Sequence, residues 1–354
     1  MQIEASETRL IEPQSSSADT FFSQAHRLLS ERRGIREALD FFDAAQRLGY
    51  PPAECAAGRW DCWMLLGNLE RAWQESDFIA SLRIDDPHRY WDGGPWKDKR
   101  VMLRCLHGLG DTIQFIRYAP LLKQTCRSLA VQTHPQLVTT IECVPGVDRV
   151  CTWGPDYHEN RSDWDLQMEV TELPRAFRTV LRSIPATVPY IHIPEDRIAW
   201  AARHVQEHLR LRVGLAWQSG PWDPARSISL PALSTLFSDR NCRFYSLQKG
   251  ADLTGFRDDS IIDVEANSAD IRDTAALILN LDLVVTVDTM TAHLAGALGC
   301  RTWLLLPARA DWRWMLDAID TPWYPTMRIF RQRKLDDWKH VLEEIRAALA
   351  NPYR

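Results

Sequence analysis

From residue 100 onward the chain alternates short apolar, β-branched runs with stretches of helical period, and this alternation constrains its fold more than any other feature. RVMLRC (100–105) is strand-like, and DTIQFIRYAPLLKQ (111–124) carries a helical apolar stripe. SLAVQT (128–133), PQLVTTIECV (135–144), DRVCTW (148–153) and DWDLQM (163–168) continue the pattern. Strands separated by helices pair in parallel, and a parallel sheet has to be covered on both faces. IPATVPYIHIP (184–194), with three prolines in eleven residues, reads as an interdomain linker. A second unit follows, with a helix near 195–209 and strands at LRVGLAWQ (211–218), CRFYSLQ (242–248), IIDVE (261–265), LVVTVD (283–288) and RTWLLLP (301–307). Between them lie helices at PALSTLF, DIRDTAALILNL and MTAHLAGALG. The segment 334–350 predicts a long amphipathic helix, apolar at Leu335, Trp338, Val341, Leu342, Ile345 and Leu349. The α/β class and two doubly wound domains, 91–194 and 195–333, follow, with a ligand crevice where the carboxyl ends of the two sheets meet.

The first quarter of the chain is different. Residues 1–17 are polar, lack periodicity and read as a solvated leader. Segment 18–90 shows helical spacing in two similar halves: Gly34 aligns with Gly67 and Ala38 with Ala72, offsets of 33 and 34. That period matches the ~34-residue tetratricopeptide helix pair. About two repeats cannot form a long concave groove, so this all-α segment is expected to pack on the next domain or to form a homodimer. WDGGP (91–95) is a turn-rich joint to the α/β part.

Composition narrows the function classes. With 42 Lys+Arg against 47 Asp+Glu in 354 residues, the formal charge is −5. No overall basic field exists to hold nucleic acid, and at most peripheral membrane contact is expected. No apolar run approaches the ~20 residues of a spanning helix, and the N-terminus lacks a secretory pattern. The eight cysteines contain no CxxC pair, which fits reduced thiols in a cytoplasmic protein.

Four strand-end turns carry candidate chemistry. His107-Gly108-Leu109-Gly110-Asp111 follows the first strand and opens a helix. Its glycines allow close backbone approach, but Ile113 stands where a dinucleotide fingerprint needs its third glycine. Asp111 is either an N-terminal cap or a general base taking a proton from an acceptor hydroxyl. At Asp288-Thr289, a strand passes into a helix with His293 one turn inside. This turn suits a diphosphate, or is simply a capped helix with a satisfied histidine. Trp217-Gln218-Ser219-Gly220 leads into a loop with Arg226, a phosphate clamp or a solvated charge. At Gln248-Lys249, the lysine could neutralise a phosphate and Gln248 could read a base edge or ribose. Trp217, Trp222, Trp312, Trp314 and Trp323, five of fifteen tryptophans, offer rings for stacking or for core filling. His204-Val205-Gln206-Glu207-His208 fits an inverted zinc-peptidase pattern, yet no distal third ligand stands out, and a solvated helix face explains it better.

GLGDTIQFIRY (108–118), FYSLQKG (244–250), VDT-x-x-x-H-LAGALG (287–299) and DWRW (311–314) with WYP (323–325) together resemble the tetratricopeptide-linked branch of glycosyltransferase family nine. That family includes the lipopolysaccharide heptosyltransferases, and the resemblance covers roughly 100–350. It implies a GT-B fold of two Rossmann-like domains facing a cleft, with a nucleotide-diphosphate sugar held mainly by the second. It also implies inversion at the anomeric carbon. By the same resemblance Asp111 is the base, and Asp288, Thr289 and His293 lie near the donor's sugar and diphosphate. Arg226 stands where heptosyltransferases often have lysine. Gly108, Gly110, Trp217, Ser219, Gln248 and Lys249 complete the expected donor-binding set.

The expected function is sugar transfer from a nucleotide-diphosphate sugar, as co-substrate, to a hydroxyl of a glycan, lipid-linked or protein acceptor. No DxD pair stands out for a divalent ion, so no metal or further cofactor is expected, and the leaving group would be stabilised by protein dipoles and cations. Two alternatives remain: a non-catalytic scaffold that keeps the fold, and a nucleotide-sugar epimerase on the same architecture.

Overall fold

The computed structural model describes residues 17–82, 91–153, 163–205, 209–221, 223–256 and 260–351. The chain divides into two compact units, one up to residue 84 and one from residue 85. Each is taken by itself.

The first unit contains helices α1 (Ser17–Glu31), α2 (Ile35–Arg47), α3 (Pro52–Leu65) and α4 (Leu69–Ser81). Its two hairpins repeat: α2 and α4 begin 34 residues apart (69 − 35), and the turns before them place Gly34 and Gly67 at φ +55° and +70°. Both turns need a left-handed residue, which explains the aligned glycines. Ser17, expected in the leader, is already helical; residues 1–16 lie outside the described residues. Arg59 is buried and joins three helices, donating to Glu75 at 2.8 and 2.9 Å and to Gln46 at 2.9 Å. Gly58 makes room for Phe42, since a Cβ there would stand 2.2 Å from the ring's Cζ. Gly58→Ala is therefore expected to cost about 1–3 kcal/mol by overpacking, read as a lower urea midpoint for the full chain. An unchanged midpoint would mean that Phe42 can turn aside.

The second unit carries two parallel sheets. The first has β1 (Arg100–Arg104), β2 (Ser128–Thr133), β3 (Arg149–Thr152) and β4 (Leu166–Glu169) in the order β3-β2-β1-β4. The second has β5 (Leu211–Ala216), β6 (Cys242–Ser246), β7 (Ile262–Asp263), β8 (Leu283–Val287), β9 (Thr302–Leu306) and β10 (Met327–Arg331) in the order β10-β9-β8-β5-β6-β7. This is the doubly wound order, of which the first sheet holds the first four strands. Strand order reverses beside β1 and beside β5, so a ligand crevice is expected beyond the carboxyl ends of β1, β4, β5 and β8.

Covering helices are α5 (Leu109–Phe115), α6 (Ala119–Lys123), α7 (Val138–Ile141), α8 (Leu173–Ala176), α9 (Glu195–Ala202), α10 (Leu230–Leu233), α11 (Ile271–Leu279), α12 (Met290–Ala297) and α13 (Trp338–Leu349). Period-two alternation sorts the second sheet's residues between two cores. Val213, Leu215, Val285, Trp303 and Leu305 pack with Val341 and Ile345 of α13. Ala216, Val284, Leu304 and Leu306 instead join a core that also contains the first sheet.

Several expected elements are shorter than the sequence suggests. The stripe over 111–124 is broken into α5, a 3-10 turn at Ile116–Tyr118 and α6. PQLVTTIECV holds only a 3-10 turn and α7, and IIDVE contributes the two residues of β7 at the sheet edge. The helix from 195 ends at Ala202, and residues 206–208, with most of the His204–His208 motif, lie outside the described residues. The last helix starts at Trp338, where the Asp337 side chain accepts from the N–H of His340 at 3.3 Å. Leu335 consequently lies outside that helix and is half exposed. The proline-rich 184–194 is a linker with buried anchors, Tyr190, Ile191 and Ile193, and its Tyr190 N–H donates to the Ala297 carbonyl at 3.1 Å.

Candidate functional site

The loop from β1 to α5 is held from below by Glu169 at the end of β4. This carboxylate is fully buried and accepts from the Leu106 N–H at 3.2 Å. Above it, Asp111 occupies the third position of α5, with one carboxylate oxygen accepting from the Gly108 N–H at 3.0 Å. A Cβ on Gly108 would lie 3.1 Å from that oxygen, so glycine permits the tight cap.

Asp111 also meets the other lobe. Its second oxygen accepts from Arg313, which lies in the 3-10 turn Trp312–Trp314 between β9 and β10. Arg313 further donates to Asp311 at 2.9 Å and to Gln114 of α5 at 2.7 Å. Its guanidinium lies over the rings of Trp312 (4.8 Å) and Phe115 (5.5 Å). Burial opposes its charge, but Asp311 and Asp111 outweigh that and hold it protonated.

The turn after β8 faces the same point. Asp288 and His293 are both buried, with His293 Nε2 3.8 Å from the Asp288 carboxylate, too long for a hydrogen bond. His293 Nδ1 lies 2.9 Å from the Tyr324 hydroxyl, and its ring stacks on Trp314 at 5.5 Å. Burial and the cations Arg313, Arg117 and Arg226 hold this imidazole well below its usual range, so it is neutral. What approaches Gly110 closely is this ring: a Cβ there would lie 2.7 Å from His293 Cδ2. Gly110 therefore serves the meeting of α5 with α12.

Arg226 donates to the Asp288 backbone carbonyl at 3.0 Å and lies 3.6 Å from its carboxylate and 3.0 Å from that of Asp223. Burial first, and then the charge of Asp311, push Asp288 up to about 6, against the opposing pull of Arg226 and Arg313. The folded chain thus binds this proton more tightly than the unfolded chain, whose carboxyl titrates near ~3.9. The associated stability is fully present below the unfolded value and is lost as pH rises through about 6. By about pH 8 the loss is roughly 3 kcal/mol. Asp288→Asn should therefore raise the melting temperature at pH 8 and leave it little changed at pH 4. Equal shifts at both values would contradict the burial argument.

The remaining expected site residues distribute unevenly. Ser219 closes its own loop, its hydroxyl donating to the Asp223 carbonyl at 2.6 Å and lying 3.0 Å from that of Ser227. The Gln248 side-chain oxygen accepts from the N–H groups of Trp217 and Gln218 at 3.2 and 2.9 Å, which braces the turn after β5. Lys249 donates to the carbonyl and hydroxyl of Ser268 at 2.8 and 3.2 Å. Thr289 stands at the N-cap position of α12 in extended conformation, but its hydroxyl lies 3.4 Å from that of Thr286 and does not cap the helix. Trp217 is a correction: its odd register with Val213 and Leu215 turns the ring into the α13-side core, where it is 2% exposed. It is not a stacking surface. Trp314 and Trp323 are likewise buried, Trp312 is half-buried, and Trp222 lies outside the described residues.

Sequence reasoning assigned no role to Arg313, Asp311, Arg117 or Tyr324. Their only signals were the DWRW and WYP strings and, for Arg117, the GLGDTIQFIRY string. DWRW and WYP sit in a connection without periodicity, some 200 residues from α5 (313 − 111 = 202).

No family model matches the chain. Among curated proteins it is 26% identical over 358 residues to Protein FlbA of Caulobacter vibrioides, covering 89% of this chain. The chain spans 58% of that relative's length. Among solved structures it is similar to the glycosyl transferase family 9 of Veillonella parvula DSM 2008, with a TM-score of 0.53 at 12% identity, over 73% of this chain and 91% of that one. It is also similar to the E. coli ADP-heptose lps heptosyltransferase II, with a TM-score of 0.50 at 13% identity, over 72% of this chain and 100% of that one. Likeness of this degree establishes the fold, which is that of these two solved structures.

Proposed function

We propose that the chain is an inverting GT-B glycosyltransferase that moves a sugar from a nucleotide-diphosphate donor to an acceptor hydroxyl without a metal ion. The observation carrying this reading is that Asp111 from one lobe, bonded by Arg313, and the Asp288–His293 turn from the other, whose imidazole meets Gly110, converge at the switch points of two doubly wound sheets. Transfer makes two opposed demands: a proton must leave the acceptor as it attacks, and charge must be neutralised on the departing diphosphate. Asp111 meets the first. Arg313, Arg226 and the N–H groups opening α12 meet the second. Arg313 pairs with Asp111 in the ligand-free chain. An incoming diphosphate would draw it away and leave the carboxylate able to take a proton.

A non-catalytic scaffold is the second reading. It is favoured by the internal partners of the cations expected to receive the diphosphate: Arg226 at Asp288 and Asp223, Lys249 at Ser268, Arg313 at Asp111 and Asp311. The four-helix segment, tetratricopeptide-like in spacing, would then be the partner-binding part, whereas in the enzyme it would pack or dimerise. The cytoplasm is the compartment in which such donors occur.

Titration of the full chain with ADP-, UDP- and GDP-linked sugars separates these readings, because a ligand binding only the folded form raises its melting temperature by mass action. Stabilisation by one nucleotide class, with product formed only when an acceptor is present, is the expected result. No stabilisation by any of them would contradict transfer, and conversion of the donor without acceptor would indicate an epimerase.

A further inference from the structure

Gln114 of α5 is fully buried where the two lobes meet, and its side chain ends on Arg313. The amide oxygen accepts from the Arg313 Nε–H at 2.7 Å. A guanidinium only donates, so the amide has one workable orientation: flipped, it would set N–H against N–H. Its Nε2 therefore faces away, and among the described residues that nitrogen is buried with no hydrogen-bond partner. A buried N–H group without an acceptor is a net cost, which an apolar side chain of the same length would avoid. The glutamine is explained by what its oxygen does for Arg313.

Arg313 is held at three corners. Its Nε–H goes to Gln114, one terminal nitrogen to Asp311 at 2.9 Å and the other to Asp111. Asp111 and Gln114 are three residues apart on α5, so both reach the guanidinium from one helix face. The helix is anchored at this point. The Gln114 carbonyl accepts at 2.8 Å from buried Arg117, which packs on the rings of Tyr190 (4.7 Å) and Tyr324 (4.6 Å). The three corners differ in charge. Asp111 and Asp311 each offset the positive charge of Arg313, whereas the amide orients the group and leaves its charge intact. A carboxylate in the amide's place would add a negative charge beside any incoming phosphate.

We propose that Gln114 is a positioning residue. It grips Arg313 at Nε with a neutral acceptor, so that the guanidinium can swing about that bond and carry its terminal nitrogens from Asp111 to the diphosphate of a bound nucleotide sugar. The diphosphate clause rests on the glycosyl-transfer reading; the grip rests on the contacts around Arg313 alone.

The grip is read in the full, ligand-free chain from the arginine Nε–H region of a 15N–1H spectrum, with the Arg313 signal identified by its loss in Arg313→Lys. That proton should lie downfield in the native chain and in Gln114→Glu. It should lose this shift in Gln114→Met, which keeps the side chain's length without an acceptor. The link to the diphosphate is read from dissociation constants for ADP, UDP and GDP. For whichever binds, Gln114→Met should weaken binding by about tenfold or more, the worth of one hydrogen bond to a charged group. In an Arg313→Lys background the same change should add little. Gln114→Glu keeps the acceptor, so a merely structural brace would tolerate it; the added negative charge should instead weaken binding at least as much. An Nε–H shift equal in the native and Gln114→Met chains, full additivity with Arg313→Lys, or native affinity in Gln114→Glu would overturn the proposal. The Gln114→Glu result decides by itself if Gln114→Met fails to fold. If the native chain binds none of these nucleotides while the Nε–H shift is present, the diphosphate clause falls with the transfer reading and the grip stands.

Discussion

Arg117→Leu is expected to destabilise the two-sheet unit by about 3–5 kcal/mol, one of the largest losses available to a single substitution in this chain. The guanidinium supplies hydrogen bonds to three carbonyls and one hydroxyl drawn from α5's end, the linker and the β9–β10 connection. Leucine fills part of the volume and removes the cost of burying a charge, but it leaves those acceptors dry. Each buried acceptor without a donor costs about 1–3 kcal/mol, and only some can find another partner. Arg117→Lys keeps the charge and loses the planar fork, so it should recover a minority of the loss. The measurement is the urea unfolding midpoint of the full chain. A leucine variant as stable as the native chain would show that the lobes are held together elsewhere.

Asp111→Asn carries the largest functional effect. A positioned general base contributes about 10²–10⁴ to the rate, so turnover should fall by that factor. Affinity for the nucleotide sugar should be retained or increased, since the amide no longer competes with the donor's diphosphate for Arg313. Arg313→Gln should do the reverse, weakening donor binding more than it alters the acceptor's KM. Undiminished turnover in Asp111→Asn would remove this carboxylate from the chemistry and leave it as a cap and lobe tie.

The sequence made the architecture legible because its signals were local. The near-continuous apolar runs LVVTV and TWLLL report strands covered on both faces, and glycines 34 and 67 mark two equivalent turns. Asp111 and Asp288–His293 were legible for a related reason: each sits where a strand hands over to a helix. For Trp217, proximity to a strand end is the weaker signal and parity the stronger: the residue continues the Val213–Leu215 row into the far core. β10 escaped notice because MRIFR is short, carries two arginines and completes the sheet only by pairing with β9. Arg313 and Arg117 were out of reach for a different reason. Their roles exist only once residues about 200 positions away are folded against them, and a buried arginine held by carbonyls and rings leaves no spacing to read.

The most direct test is a crystal structure of the full chain with a non-transferable analogue of whichever nucleotide-diphosphate sugar binds. The account predicts the diphosphate against the Asp288–Thr289 turn, with Arg313 moved onto it and the sugar's anomeric carbon facing the Asp111 carboxylate. A nucleotide bound outside the cleft, or a sugar held with Asp111 still paired to Arg313 and remote from that carbon, would contradict it.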